Sequence, residues 1–197
     1  MPRSAKIDRS FFERDVEVVA RDLIGVSVYL DGVGGAIVET EAYDAGDPAA
    51  HSFRGPTARN APMFGPAGHL YVYRIYGLHF CMNFTCGHGS GVLIRALEPD
   101  RGLDIMCRRR GPVADRLLCA GPGRLCQALA IDLSFGGRPL DQPPFELYPR
   151  EAQKNVAACR RIGIKLAADA PRRFCEIGSP YLSHPIGRDG RAQILKS

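Results

Sequence analysis

The stretch Leu70 to Phe84, L-Y-V-Y-R-I-Y-G-L-H-F-C-M-N-F, restricts the fold more than any other part of the chain. Two runs rich in Tyr, Val, Ile and Phe flank a Tyr76-Gly77 break, and those residues favour strands. Gly adopts positive φ without steric cost, so the break predicts a β-hairpin with its tip near Tyr76-Gly77. Further short strands are expected over Val26 to Leu30, Gly35 to Tyr43, Val92 to Ala96, Phe145 to Tyr148 and Phe174 to Ile177, with a turn over Asp31 to Gly34.

Helices are fewer. Asp15 is a candidate N-cap ahead of Val16, Val19, Ala20 and Leu23, whose spacing marks one buried helical face, and Gly25 closes it. Ser10-Phe11-Phe12-Glu13 has the form of a capping box. Leu103 to Arg109 and Arg124 to Ile131 also read as helices. The second follows Gly121-Pro122-Gly123, a start that leaves free N–H groups. Strands outnumber helices and tight turns join them. The expected class is α+β: a single domain over residues 10–190 with a mixed, mainly antiparallel curved sheet or open barrel, peripheral helices and a protruding hairpin. Residues 1–9 are polar and expected to be flexible.

Composition narrows the function classes. The 197 residues carry a net charge of +5, a mild basic bias that suits a polyanionic partner without requiring one. Seven Cys occur with no C-x-x-C pair, so neither a metal site nor a cofactor is expected; buried thiols in a reducing compartment are. Met1 to Ser10 is polar, and no apolar run approaches the roughly 20 residues of a membrane span, so an intracellular protein without membrane partners is expected.

The chemistry-bearing segment is Gly35 to Tyr43, G-A-I-V-E-T-E-A-Y. Alternation places Ala36, Val38, Thr40 and Ala42 on one face, and Ile37, Glu39, Glu41 and Tyr43 on the other. Two carboxylates therefore share a face beside a long Gly- and Pro-rich loop, Asp44 to Gly68, that carries His51. Alternation cannot choose between Glu39 and Glu41. On the hairpin, Tyr71 and Tyr73 point the same way, and Tyr76 stands at the tip where a large side chain could wedge into a base stack. The runs Arg108-Arg109-Arg110, Arg160-Arg161 and Arg172-Arg173 are either solvated surface or phosphate contacts. Patterns for Ser nucleophiles, zinc proteases, P-loops and dinucleotide binding are missing.

The segments G-A-I-V-E-T-E-A-Y, A-A-H-S-F-R-G, L-Y-V-Y-R-I-Y-G-L-H-F-C-M-N, V-L-I-R-A-L-E-P, L-C-A-G-P-G-R-L-C-Q-A-L-A-I, R-I-G-I and G-S-P-Y-L-S resemble the alkyladenine (3-methyladenine) DNA glycosylases, from about Phe11 to Ser183. The resemblance implies a monomeric base-excision-repair enzyme acting on double-stranded DNA with a damaged purine. It implies Glu41 as the general base, with Arg95 positioning it and the substrate backbone. Tyr43, His51 and Tyr73 would grip the flipped base, Asn83 would crowd the exocyclic amino group of normal guanine, and Tyr76 would fill the hole in the duplex. None of the four lysines, Lys6, Lys154, Lys165 and Lys196, lies in these segments, which implies hydrolysis without lyase activity. The chain departs from the family pattern at Ala58 and His79, and residues 135–158 receive no role. The competing expectations are a non-catalytic nucleic-acid-binding module of formyltransferase C-terminal-like fold, and a small-molecule hydrolase using Glu39 or Glu41.

Overall fold

The computed structural model describes residues 6–187 and the backbone of 193–195. In chain order its elements are α1 (Val16–Asp22), β1 (Ser27–Leu30), β2 (Val33–Tyr43), α2 (Ala61–Phe64), β3 (Leu70–Ile75), β4 (His79–Gly87), β5 (Ser90–Arg101), α3 (Leu103–Arg110), α4 (Asp115–Leu118), α5 (Pro122–Leu129), β6 (Phe145–Tyr148), β7 (Val156–Cys159), β8 (Arg173–Glu176) and β9 (Gln193–Leu195). One curved sheet runs β3-β4-β5-β2-β8-β7-β9, and β1 joins β2 to β6 off this path. Every strand pair described is antiparallel. The α+β class with peripheral helices is as expected. No described helix is long and apolar enough to cross a membrane.

The sheet has two different faces. Leu70, Val72, Met82, Phe84, Val92, Ile94 and Ala42 point into the main core, where α1 and α5 cover them. Burying each large apolar side chain there contributes about 1.5–3 kcal/mol. Tyr71, Tyr73, Cys81, Asn83, Leu93, Arg95, Glu41 and Tyr43 alternate onto the opposite face and line a cavity. Gly34 and Gly35 let β2 run close to both neighbours: a Cβ at Gly34 would lie 1.9 Å from the Val28 carbonyl oxygen, and one at Gly35 2.0 Å from that of Glu98.

The pairing of β2 with β5 shifts register at three places, and the alternation along β2 itself fails at one of them. That shift lies between Ile37 and Glu39. A bulge there opposes two residues to one and changes which face the chain presents. Ile37 consequently joins the core with Ala42, on the side expected for Val38, and Val38 does not belong to that core cluster. Thr40 stays on the core side and donates to the Ala20 carbonyl of α1 at 2.8 Å.

Local start and stop signals behave according to their chemistry. The Asp15 side chain caps α1 through the Glu17 and Val18 N–H groups, and Gly25 takes φ +88° just beyond. The Ser10 capping box does not form; Asp8 instead caps a short 3-10 turn, Arg9–Phe12, by accepting from Ser10 N–H at 2.9 Å. Of the segment expected to be flexible, residues 1–5 lie outside the described residues. Ile7 donates its N–H to the Leu147 carbonyl at 2.9 Å and packs in the core. None of the seven Cys forms a disulfide, and six are buried. No cluster of metal-ligand side chains occurs among the described residues.

Candidate active site

The cavity has a volume of about 440 Å³, within the range of small-ligand sites. Four adjacent strands, β3, β4, β5 and β2, form its floor; the N-terminus of α5 and residues 162–164 form part of its wall. Gly123 allows α5 to abut the hairpin, because a Cβ there would come within 3.0 Å of His79.

Glu41 lies under the floor with no exposed surface, and its bonds reach the cavity-lining groups. Its Oε1 accepts the Ile162 N–H at 2.8 Å and faces an Arg95 guanidinium nitrogen at 3.2 Å. Its Oε2 accepts the Tyr43 hydroxyl at 2.8 Å. A carboxylate has about four acceptor positions, so among the described residues one on Oε2 is left open. Burial and the adjacent Glu41 charge hold the Tyr43 hydroxyl proton well above the usual phenol range.

Glu39 is equally buried and does not line the cavity. Its Oε1 accepts Arg95 Nε at 2.9 Å, Arg173 Nε at 2.7 Å and Ser183 Oγ at 2.8 Å, and its Oε2 accepts Ser183 N–H at 2.6 Å. Burial alone would raise its pKa; the Arg173 and Arg95 charges outweigh that and hold it below the ordinary carboxylate value. Arg95 links the two carboxylates and also donates to Ser183 Oγ at 3.2 Å. Geometry distinguishes the two carboxylates that alternation leaves equal: Glu41 borders the cavity with an acceptor position open on Oε2, whereas Glu39 lies off the cavity, with three donors on Oε1 and the Ser183 N–H on Oε2.

The aromatic wall comes from the hairpin and the long loop. The His51 and Tyr73 rings are 4.4 Å apart at 74°, and the Tyr71 and Tyr73 rings 5.7 Å apart at 33°. His51 Nδ1 lies 3.0 Å from the Tyr71 hydroxyl. Burial, then the Arg59 charge, lowers the His51 pKa and favours the neutral ring. Burial raises the Tyr73 pKa, reinforced by Cys81. Asn83 pairs across from Tyr71 and donates to its carbonyl at 3.2 Å. Tyr76 and Gly77 both take positive φ, 51° and 70°, in a tight turn closed by Leu78 N–H to the Ile75 carbonyl at 3.3 Å. That turn holds Tyr76 83% and Leu78 81% exposed.

All seven expected site residues, Glu41, Arg95, Tyr43, His51, Tyr73, Asn83 and Tyr76, border this one cavity. The arginine runs do not act as runs. Arg161 and Arg173 have buried side chains, paired with Asp47 and Glu39. Arg109 and Arg110 tie α3 to the α5 region through the Ala128 carbonyl and Gln127. Arg172 pairs with Asp44 and Glu17, Arg160 with Asp169, and Arg108 with Asp104. Sequence reasoning missed Ile162, Asp47 and Ser183. A backbone N–H has no signature in a residue pattern, and an Asp or Ser in a loop has too common a one.

A sheet-borne carboxylate beside a cluster of aromatic rings, beneath a protruding aromatic tip, is an arrangement suited to base-excising hydrolases. A family profile described as methylpurine-DNA glycosylase (MPG) matches residues 10–180. A protein of Nitrosospira multiformis is 58% identical over 171 residues, covering 85% of this chain and 89% of its own length. One of Nitrobacter winogradskyi is 54% identical over 93% of this chain and 90% of its own length, and one of Agrobacterium fabrum 53% identical over 95% and 97%. All three bear the name "Putative 3-methyladenine DNA glycosylase". The chain belongs to the methylpurine-DNA glycosylase family, and it is a DNA glycosylase of base excision repair.

Proposed function

We propose that this glycosylase extrudes an alkylated purine from duplex DNA into the cavity and hydrolyses its N-glycosidic bond with a water activated by Glu41, leaving an intact abasic site. The observation that carries this reading is the Glu41 carboxylate under a tyrosine-lined cavity, fixed through three contacts with one acceptor position open on Oε2.

A base inside the stack is out of reach, and extruding it costs about a few kcal/mol, least for a damaged pair. Tyr43, His51 and Tyr73 hold the extruded purine. Tyr76, exposed at the hairpin tip, fills the vacated space. Alkylation at a ring nitrogen makes the purine cationic, which improves the leaving group and strengthens contact with electron-rich rings. The sugar then acquires oxocarbenium character. Glu41 stabilises that charge and accepts the proton of the attacking water. Arg95 positions Glu41, and Asn83 crowds the amino group of normal guanine. With no exposed surface, Glu41 admits water only when the side chains above it shift, which keeps bulk water out of the charge separation.

Neutral lesions such as hypoxanthine and ethenoadenine need a proton donor. The neutral tendency of His51 and the tightly held protons of Tyr43 and Tyr73 make all three poor ones. The reading therefore favours 3-methyladenine and 7-methylguanine. No lysine lines the cavity among the described residues, and Lys165, next to the lining residue Ile164, is exposed. That supports hydrolysis over a Schiff-base lyase.

Single-turnover excision on duplexes carrying each lesion tests this, with Glu41→Gln beside wild type. The expected result is base release by wild type alone and equal duplex binding by both, weakening steeply with salt. Undiminished base release by Glu41→Gln would falsify the assignment of the base. Duplex binding without base release by wild type would favour the binding-module reading instead.

A further inference from the structure

Arg161 has a fully buried side chain and does not border the cavity, yet its contacts converge on the residues that do. One guanidinium nitrogen donates to the Ala42 carbonyl at 3.1 Å, between Glu41 and Tyr43, and pairs with the Asp47 carboxylate. The other terminal nitrogen donates to the Ala167 carbonyl at 3.2 Å. The guanidinium carbon lies 4.6 Å from the centroid of the Tyr43 ring. The next residue, Ile162, supplies the N–H on Glu41 Oε1 at 2.8 Å. Asp47 is itself pinned, accepting from the Ala49 N–H at 2.9 Å and from Arg172 at 3.3 Å. The Ala42 N–H is held as well, by the Arg172 carbonyl at 2.9 Å.

Stability does not explain this arrangement. Desolvation of a buried ion pair offsets most of its attraction. Arg161 Nε is also buried without a hydrogen-bond partner among the described residues, which costs free energy. The planar fork does what no apolar residue of that size could. It grips a backbone carbonyl within the catalytic strand, backs an aromatic ring and anchors the chain that delivers an amide to the carboxylate.

We propose that the Arg161–Asp47 ion pair is a positioning unit of the active site, holding the Tyr43 ring and the Glu41 carboxylate in mutual register through the Ala42 carbonyl and the Ile162 amide. This rests on the reading of Glu41 as the base. Without the pair, the Tyr43 hydroxyl and the Ile162 N–H would no longer arrive on the two Glu41 oxygens together. The open position on Oε2 would then be misaimed at the attacking water.

The test is single-turnover excision from a 7-methylguanine duplex, with equilibrium binding to the same duplex and thermal melting of each variant. Arg161→Met should lower the rate about 100-fold, the scale of an ångström-size misplacement. Arg161→Lys, which keeps the charge and loses the fork, should recover part of that and remain about 10-fold slow. Asp47→Asn should also be about 10-fold slow, and all three should bind the duplex within about threefold of wild type. In a Tyr43→Phe background, where the hydroxyl contact is already gone, Arg161→Met should cost much less than in wild type.

Full additivity with Tyr43→Phe, or a rate loss matched by an equal affinity loss, overturns the proposal. Should Arg161→Met not fold, Arg161→Lys and Asp47→Asn decide: wild-type rates in both sink the idea. Glu41→Gln separates the two claims. If it retains activity the base is misassigned, whereas if it is inactive and the Arg161 and Asp47 variants are normal, only the positioning unit fails.

Discussion

Glu39 and Glu41 sit two residues apart on one strand, face the same way, have no exposed surface and share Arg95 as a partner. Their surroundings differ completely. At the β8 end of the sheet, the face is covered by the segment carrying Leu182, Ser183 and Ile186, over Ala157, Cys159 and Cys175. Glu39 there receives four hydrogen bonds beneath that cover, three on Oε1 and one on Oε2. Toward β3 and β4 the same face is left uncovered, the cavity opens, and Glu41 keeps an acceptor position. What separates a catalytic candidate from a structural one is thus neither residue type nor burial. It is unused bonding capacity next to space for a ligand.

The largest test of that contrast is activity at Glu41. Glu41→Gln should lower single-turnover excision by about 10²–10⁴-fold, the usual worth of a general base, with little change in the melting temperature. Glu39→Gln should do the reverse. It leaves Arg95 and Arg173 buried without their shared counter-charge, and unfolding by denaturant should show a loss of about 3–5 kcal/mol. A Glu39→Gln protein as stable as wild type would break the comparison.

The acid limb of stability sharpens it. Glu39 has a folded-state pKa below the ordinary value of 4.5, so the folded state keeps it charged where the unfolded chain already takes up a proton. Its contribution is complete above that ordinary value and is lost as pH falls through the lower folded one. Denaturation curves of wild type should therefore weaken across this acidic window, and those of Glu39→Gln should weaken less. The smallest stability effect belongs to the hairpin tip. Tyr76→Ala removes an 83% exposed ring, so unfolding should change by no more than about 0.5 kcal/mol. Affinity for a lesion-bearing duplex should fall about tenfold, and unchanged affinity would remove Tyr76 from the DNA interface.

Much of the frame was legible in residue order. The hairpin, α1 with its Asp15 cap and most of β2 follow from local periodicity and turn chemistry, which act over a few residues. β7 was not legible. Val156–Cys159, V-A-A-C, is four small residues without flanking turn signals, and it becomes a strand because β8 and β9 pair with it. The face of Ile37 was misread for a related reason, since the bulge after it exists only in the pairing with β5. Among the arginine runs, adjacent residues part ways: Arg160 meets Asp169 at the surface, while Arg161 is buried on Asp47.

The residue order by itself determined an antiparallel α+β chain with two candidate carboxylates, a set of tyrosines and an aromatic tip, because strand alternation and turn geometry are local. Only the tertiary structure decided which carboxylate meets the cavity, which arginines are buried and which amide steadies Glu41. Those outcomes depend on contacts between residues more than 100 positions apart, such as Glu41 with Ile162 and Asp47 with Arg161. No periodicity records which distant donor will reach a given oxygen first.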